Sequence, residues 1–171
     1  LNNPTVYSIV QDDWGFVWIG TRDGLYKYNE GRARSFPFLD STDFRRSNNV
    51  QSLLVTQDSV LLIGLQLGGI MGVDLESLRP IPDSKIPQLP REISIISLHQ
   101  DSEGTIWAGS SGSGIFQLRP GSEKWKRFVS DEYAEDLKFI FDFEDQGDTL
   151  WIATSGDHLL YYLKSQKSIY A

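Results

Sequence analysis

Two histidines, His99 and His158, 23 Asp plus Glu and no cysteine are the material from which acid–base, nucleophilic or metal chemistry would be built. The lack of cysteine removes disulfides, thiolate-bound metals and thiol nucleophiles together, while leaving the compartment open. A zinc centre wants closely spaced His or carboxylate ligands, and a Ser–His–Asp site wants three groups in contact; neither motif shows. Glycoside hydrolysis needs two carboxylates roughly 5–10 Å apart. Asp142 and Asp157 are the acids on which that reading would be tested by Asn replacement. Phosphate cradles are missing too, since Gly112-Ser113-Gly114 lies in a hairpin rather than ahead of a helix. The residues therefore point to a non-catalytic chain with no metal site and no cofactor. What remains is binding chemistry. Arg22, Asp23, Asp157 and His158 could orient a ligand, and Trp14 and Tyr133 are loop aromatics on which a sugar or a peptide could stack.

The elements that hold these side chains recur. Trp18-Ile19-Gly20 is answered by Leu62-Ile63-Gly64, Trp107-Ala108-Gly109 and Trp151-Ile152-Ala153, at steps of 44, 45 and 44 residues. No long stretch keeps helical i, i+3, i+4, i+7 periodicity, whereas short β-branched and aromatic runs abound. A period of this length made of short strands is the signature of β-propeller blades, each a four-stranded antiparallel sheet. The sequence thus predicts an all-β chain, one propeller domain over 1–171, with blades near 5–38, 50–82, 93–129 and 138–171.

In the first blade the strands are expected at 6–11, 16–21, 24–28 and 33–38. Between the first two, Asp12-Asp13-Trp14-Gly15 suits a type I turn, with Asp bonding the backbone two residues on and Gly at positive φ. The D-x-x-G-x-x-W spacing returns at Asp101, Gly104 and Trp107 and in part at Asp145, Asp148 and Trp151, while Thr56 and Ser59 replace it in the second copy. Second strands follow at 60–65, 105–110 and 149–154, third strands at 69–73, 114–118 and 159–163, and fourth strands at 78–82, 125–129 and 167–170.

Repeat columns assign roles. Trp18, Leu62, Trp107 and Trp151 share one column, which reads as buried wedges between blades rather than sugar platforms. Gly20, Gly64 and Gly109 mark close backbone approach. Ser8, Ser52 and Ser97 align with Phe141; Ile9, Leu53 and Leu98 with Asp142, which implies either a register shift in the fourth blade or a charge facing the axis. His99 shares a column with Val10, Leu54 and Phe143 and reads as an interior or edge histidine paired to backbone; His158 replaces Gly24, Gly69 and Gly114. The second-to-third turns and the linkers 39–49, 83–92 and 130–138 should share one face, the more variable one, and any ligand or partner surface is expected there.

A charge of −7 repels nucleic-acid phosphates, and only Arg32/Arg34, Arg45-Arg46 and Lys124/Lys126/Arg127 form basic clusters. No run of about 20 apolar residues spans a membrane. The start, Leu1-Asn2-Asn3-Pro4, lacks an initiator Met and a leader pattern, so the chain reads as a piece of something longer. A part-propeller exposes two apolar blade faces, which further blades of a parent protein or a second copy would cover.

Over residues 6–28 the chain resembles the two-component regulator propeller repeat, through Asp12-Asp13-Trp14-Gly15, Trp18-Ile19-Gly20-Thr21 and Gly24-Leu25. The copy at 95–118 resembles it nearly as well; the fourth departs at Ala153 and His158, and the second keeps the spacing alone. The resemblance implies the extracytoplasmic, periplasmic sensor region of a membrane-anchored hybrid histidine kinase or related regulator, commonly with more blades, a β-sandwich, a membrane helix and cytoplasmic signalling modules. It implies an oligosaccharide or other small ligand and no fixed catalytic residues. The alternative class is a protein-interaction scaffold without a small-molecule site.

Overall fold

The computed structural model describes residues 5–38, 47–128 and 130–171. The Leu1–Pro4 start, the Arg45-Arg46 cluster, most of the 39–49 linker and the end of the 125–129 strand lie outside the described residues.

Four four-stranded antiparallel sheets follow one another in sequence, with neighbouring strands paired in chain order. The first comprises β1 Val6–Gln11, β2 Val17–Thr21, β3 Gly24–Asn29 and β4 Arg32–Phe36. The second comprises β5 Val50–Val55, β6 Val60–Leu65, β7 Ile70–Asp74 and β8 Arg79–Ile81. The third holds β9 Ile95–Gln100, β10 Ile106–Ser110, β11 Ile115–Leu118 and β12 Lys126–Phe128. The fourth holds β13 Ile140–Gln146, β14 Thr149–Thr154, β15 Leu160–Leu163 and β16 Ser168–Tyr170. These are the four-stranded antiparallel blades expected from the repeat. Two single 3-10 turns, Asp83–Lys85 and Asp136–Lys138, interrupt the linkers. The strands form two compact units, Leu1–Ile95 and Ile96–Ala171, each with two blades.

In the first unit Trp18 is fully buried and meets Phe36 edge-on at 5.0 Å, within a core shared with Val50, Leu53, Leu61 and Ile63 of the next blade. In the second, Trp107 lies 5.1 Å from Tyr162 and 6.4 Å from Phe143 of the following blade. Both tryptophans are the wedges the column predicts, each worth on the order of 2–3 kcal/mol in removed apolar surface. Trp151 is half-buried and packs against Tyr161 instead, with ring centres 5.3 Å apart and planes tilted by 49°. The wedge works because the backbone beside it comes close. A Cβ on Gly20 would sit 2.7 Å from Val50 Cγ1, and one on Gly109 would sit 2.7 Å from Ile140 Cβ.

The serine column stitches blades. Ser8 Oγ accepts from the Leu53 amide at 3.1 Å, and Ser97 Oγ donates to the Ile140 carbonyl at 2.9 Å. In the fourth blade the pairing corrects the sequence alignment. Asp142 faces Ala153 as Ser8 faces Gly20, and buried Phe143 faces Ile152 as Ile9 faces Ile19. The register-shift alternative for Asp142 is the right one, and Phe141 belongs with Tyr7 and Gln51 at the irregular step of the innermost strand. The cause is a shortened hairpin: β13 and β14 join through Gly147-Asp148 alone, whereas Asp12 to Phe16 connect β1 and β2.

Candidate functional site

The Asp of the D-x-x-G-x-x-W motif holds its own turn and the wedge at once. Asp12 Oδ1 accepts from the Trp14 and Phe16 amides at 3.1 and 2.9 Å, and Oδ2 accepts from Trp18 Nε1 at 2.8 Å. Asp101 repeats this with the Glu103 and Thr105 amides at 3.0 and 2.8 Å and Trp107 Nε1 at 2.8 Å. Both carboxylates are buried and both oxygens of each accept bonds from within the blade, so the motif is structural. In the second blade Thr56 Oγ1 accepts from the Val60 amide at 3.2 Å, and Ser59 takes the positive φ of Gly15. No indole stands there, and no second acceptor is needed.

The fourth blade departs from the expected partial motif. The short hairpin puts Gln146, rather than Asp145, in the Asp12 slot, and Trp151 Nε1 lies 3.4 Å from Gln146 Oε1. Asp145 turns to Lys164: its Oδ1 is 2.5 Å from Lys164 Nζ, which also donates to Ser102 Oγ at 3.0 Å and to the Gly147 carbonyl at 2.7 Å, while Asp145 Oδ2 accepts from the Ser102 amide at 2.8 Å. Burial pushes the Asp145 carboxyl up, but bonds from Lys164 and Ser102 outweigh it and hold it below the ordinary range.

Within each unit, turns between second and third strands are bonded to the linkers. Asn48 Nδ2 donates to the Asp23 carbonyl at 2.7 Å, the Gly68 amide to the Arg91 carbonyl at 2.7 Å, and the Gly112 amide to the Lys138 carbonyl at 2.7 Å. Of the six candidate binding residues, three stand in the first unit and three in the second. Arg22 and Asp23 are exposed and adjacent on the β2–β3 turn. Trp14, 50% exposed, lies on the β1–β2 turn at the other end of its sheet. Tyr133, Asp157 and His158 gather in the second unit around Asp136. His158 Nδ1 is 3.3 Å from Asp136 Oδ1 and its ring 6.5 Å from that of Tyr133. A Cβ on Gly156 would strike the Asp136 carboxylate, so that turn is moulded onto the 3-10 segment. Burial and the charge of Glu132 push the Tyr133 hydroxyl above the ordinary tyrosine range. Asp157 itself is exposed beside this cluster.

His99 is half-buried against Phe143 at 6.5 Å, and its Nε2 has no hydrogen-bond partner among the described residues, so the expected pairing to backbone is not made. Among the described residues no group of three or more His, Asp or Glu is placed to hold a metal ion, and no helix is long and apolar enough to cross a membrane.

A feature missed in the sequence lies at the outer edge of the first blade, where Leu78 of the second blade borders it. Lys27, Arg32, Arg34 and Glu30 line a cleft of about 640 Å³ floored by Phe16 and Phe36. Lys27 Nζ sits 3.5 Å from the centre of the Phe16 ring and 5.2 Å from that of Trp18. Burial pulls the Lys27 ammonium below the ordinary lysine range, opposed by the charge of Asp12. The Arg32-x-Arg34 alternation was the available signal, but only cross-strand pairing sets Lys27 opposite Arg34. A corresponding corner of the second unit, about 370 Å³, is lined by Glu103, Gln117, Arg119, Tyr162, Lys164 and Lys167.

Four-stranded antiparallel blades repeated in tandem define a β-propeller chain. The model of the two component regulator propeller family matches residues 1–23 and 88–112, the stretches containing the Asp12 and Asp101 staples. Among solved structures, the chain is similar to extracellular domains from two hybrid two component systems of B. thetaiotaomicron. One is 18% identical with a TM-score of 0.77, over 99% of this chain and 25% of that one. The other is 18% identical with a TM-score of 0.76, over 97% and 21%. It is also similar to virginiamycin B lyase from Staphylococcus aureus, at 15% identity and a TM-score of 0.70, over 99% and 56%. The chain spans about a quarter of the length of the first of these. At such identities the likeness is one of fold. No curated protein sequence matches the chain.

Proposed function

We propose that this chain is part of the extracytoplasmic, periplasmic sensor propeller of a two-component receptor, binding a small ligand such as an oligosaccharide and catalysing nothing itself. The observation that carries the reading is the pair of regulator-propeller repeats at 1–23 and 88–112, in blades whose motif carboxylates are fully spent on architecture. Function is then left to the loops that the rigid blades present, on the face where β2–β3-type turns are bonded to the linkers. The likeness of fold to the extracellular domains of hybrid two component systems supports the same reading.

The test is thermal denaturation of the purified chain against a glycan panel, followed by calorimetry on any stabilising compound. Saturable stabilisation without turnover of the glycan is the expected result. Turnover abolished by Asp142→Asn or Asp157→Asn would replace the sensor with a polysaccharide-cleaving enzyme. Stabilisation by a protein partner alone would make the chain an interaction scaffold.

A further inference from the structure

We propose that the outer cleft between the first two blades is a binding site for a sugar acid, a hydroxylated carboxylate of one or two rings. The chain carries −7 overall, yet three cations converge on this one concavity, and Glu30 is its sole carboxylate. Arg32 and Arg34 alternate along β4 and so project to the same side of the sheet. Lys27 is the direct cross-strand partner of Arg34. Like charges opposed across a ladder repel, and among the described residues no carboxylate forms an ion pair with Lys27, Arg32 or Arg34. An anion entering the cleft relieves that repulsion.

An edge strand carries charge anyway to discourage strand addition, which could account for Arg32 and Arg34. It does not account for Lys27, which lies one strand inward over an aromatic ring. On the same face as the cations, the Asn29 carboxamide, directly opposite Arg32, can bond a sugar hydroxyl, and Phe36 and Leu78 form an apolar wall on which a pyranose could lie. The volume of about 640 Å³ is that of a small-ligand site. The second unit shows what the site needs by lacking it: Gln117 stands where Lys27 does, opposite the wedge tryptophan, and Lys164 is spent on Asp145.

This site is argued independently of the sensor role. Amide-resolved NMR titration of the purified chain at low ionic strength, with sodium glucuronate, glucose and sodium sulfate as separate probes, tests it. Glucuronate is expected to shift resonances at Lys27, Arg34 and Phe36, with glucose leaving them unmoved at the same concentration and sulfate binding more weakly. Arg34→Gln and Lys27→Gln should each weaken glucuronate by about fivefold, the scale of an exposed ion pair. Lys27→Gln borrows the residue that the third blade uses, and Arg34→Gln alters an exposed edge position, so both are expected to fold, with circular dichroism as the check. Equal binding of sulfate and glucuronate, equal binding of glucose, or no shift at these residues would overturn the proposal. Absence of any glucuronate shift at these residues in a chain that a neutral oligosaccharide still stabilises would overturn the proposal while leaving the sensor reading in place.

Discussion

Asp101→Ala is the substitution that most directly tests how a blade is held. It strips the acceptor from three donors, the Glu103 and Thr105 amides and Trp107 Nε1. The Glu103 amide lies in a partly exposed turn and can turn to water, but the Thr105 amide and the indole are buried. A bond to a charged acceptor contributes about 1.5–3 kcal/mol, and an orphaned buried donor costs about 1–3 kcal/mol. The expected loss is therefore about 3–5 kcal/mol, a large share of the roughly 5–15 kcal/mol that holds a domain. Urea denaturation followed by tryptophan fluorescence and near-UV circular dichroism reads it, with an unchanged m-value confirming that stability alone has moved. Asp13→Ala, beside the homologous staple but exposed, should stay within about 0.5 kcal/mol. The chain also supplies a sharper control, since its second blade pairs Thr56 with Leu62 in the slots of Asp and Trp. Asp101→Thr combined with Trp107→Leu should cost less than the two single changes added, by about 1–3 kcal/mol, because the double variant removes donor and acceptor together. A loss below about 1 kcal/mol for Asp101→Ala, or strict additivity in the cycle, would refute the staple as a source of stability.

Other outcomes follow from the same geometry. Gly109→Ala forces a methyl against Ile140 and Ser97 across the blade interface and should lower stability by about 2 kcal/mol or more, read by the thermal midpoint. Lys164→Leu leaves the Asp145 carboxylate without its cation and should destabilise by about 3–5 kcal/mol, whereas Asp145→Val with Lys164→Leu recreates the Val55 and Leu75 pair of the second blade and should be near neutral. Because Asp145, Asp74 and Asp148 all have carboxyls held below the ordinary range, the stability they contribute is complete above the unfolded carboxyl pKa and is lost as pH falls through the folded values. Denaturation midpoints should accordingly hold steady from pH 7 down to about 5 and fall below about 4, with a shallower fall in Asp145→Asn.

The sequence by itself determined the blades. Tandem spacing of Trp18, Leu62, Trp107 and Trp151 set the number of repeats, β-branched runs set the strands, and the glycines beside the wedges announced the close approach that Val50 and Ile140 make. These features are legible because each is local and recurs in the chain, so one copy corrects another. Where a copy changed length, the comparison failed: one residue lost from the β13–β14 hairpin moved Asp142, Phe143 and Asp145 by one place, which reverses the face each side chain takes in a strand. Only the tertiary structure decided that the motif carboxylate grips the wedge indole, that Asp145 pairs with Lys164, and that Tyr133, Asp136 and His158 meet. Only cross-strand register brought Lys27 beside Arg34. A binding surface is made by residues distant in the chain, and no period in the sequence records which turns and ladder positions will share a corner.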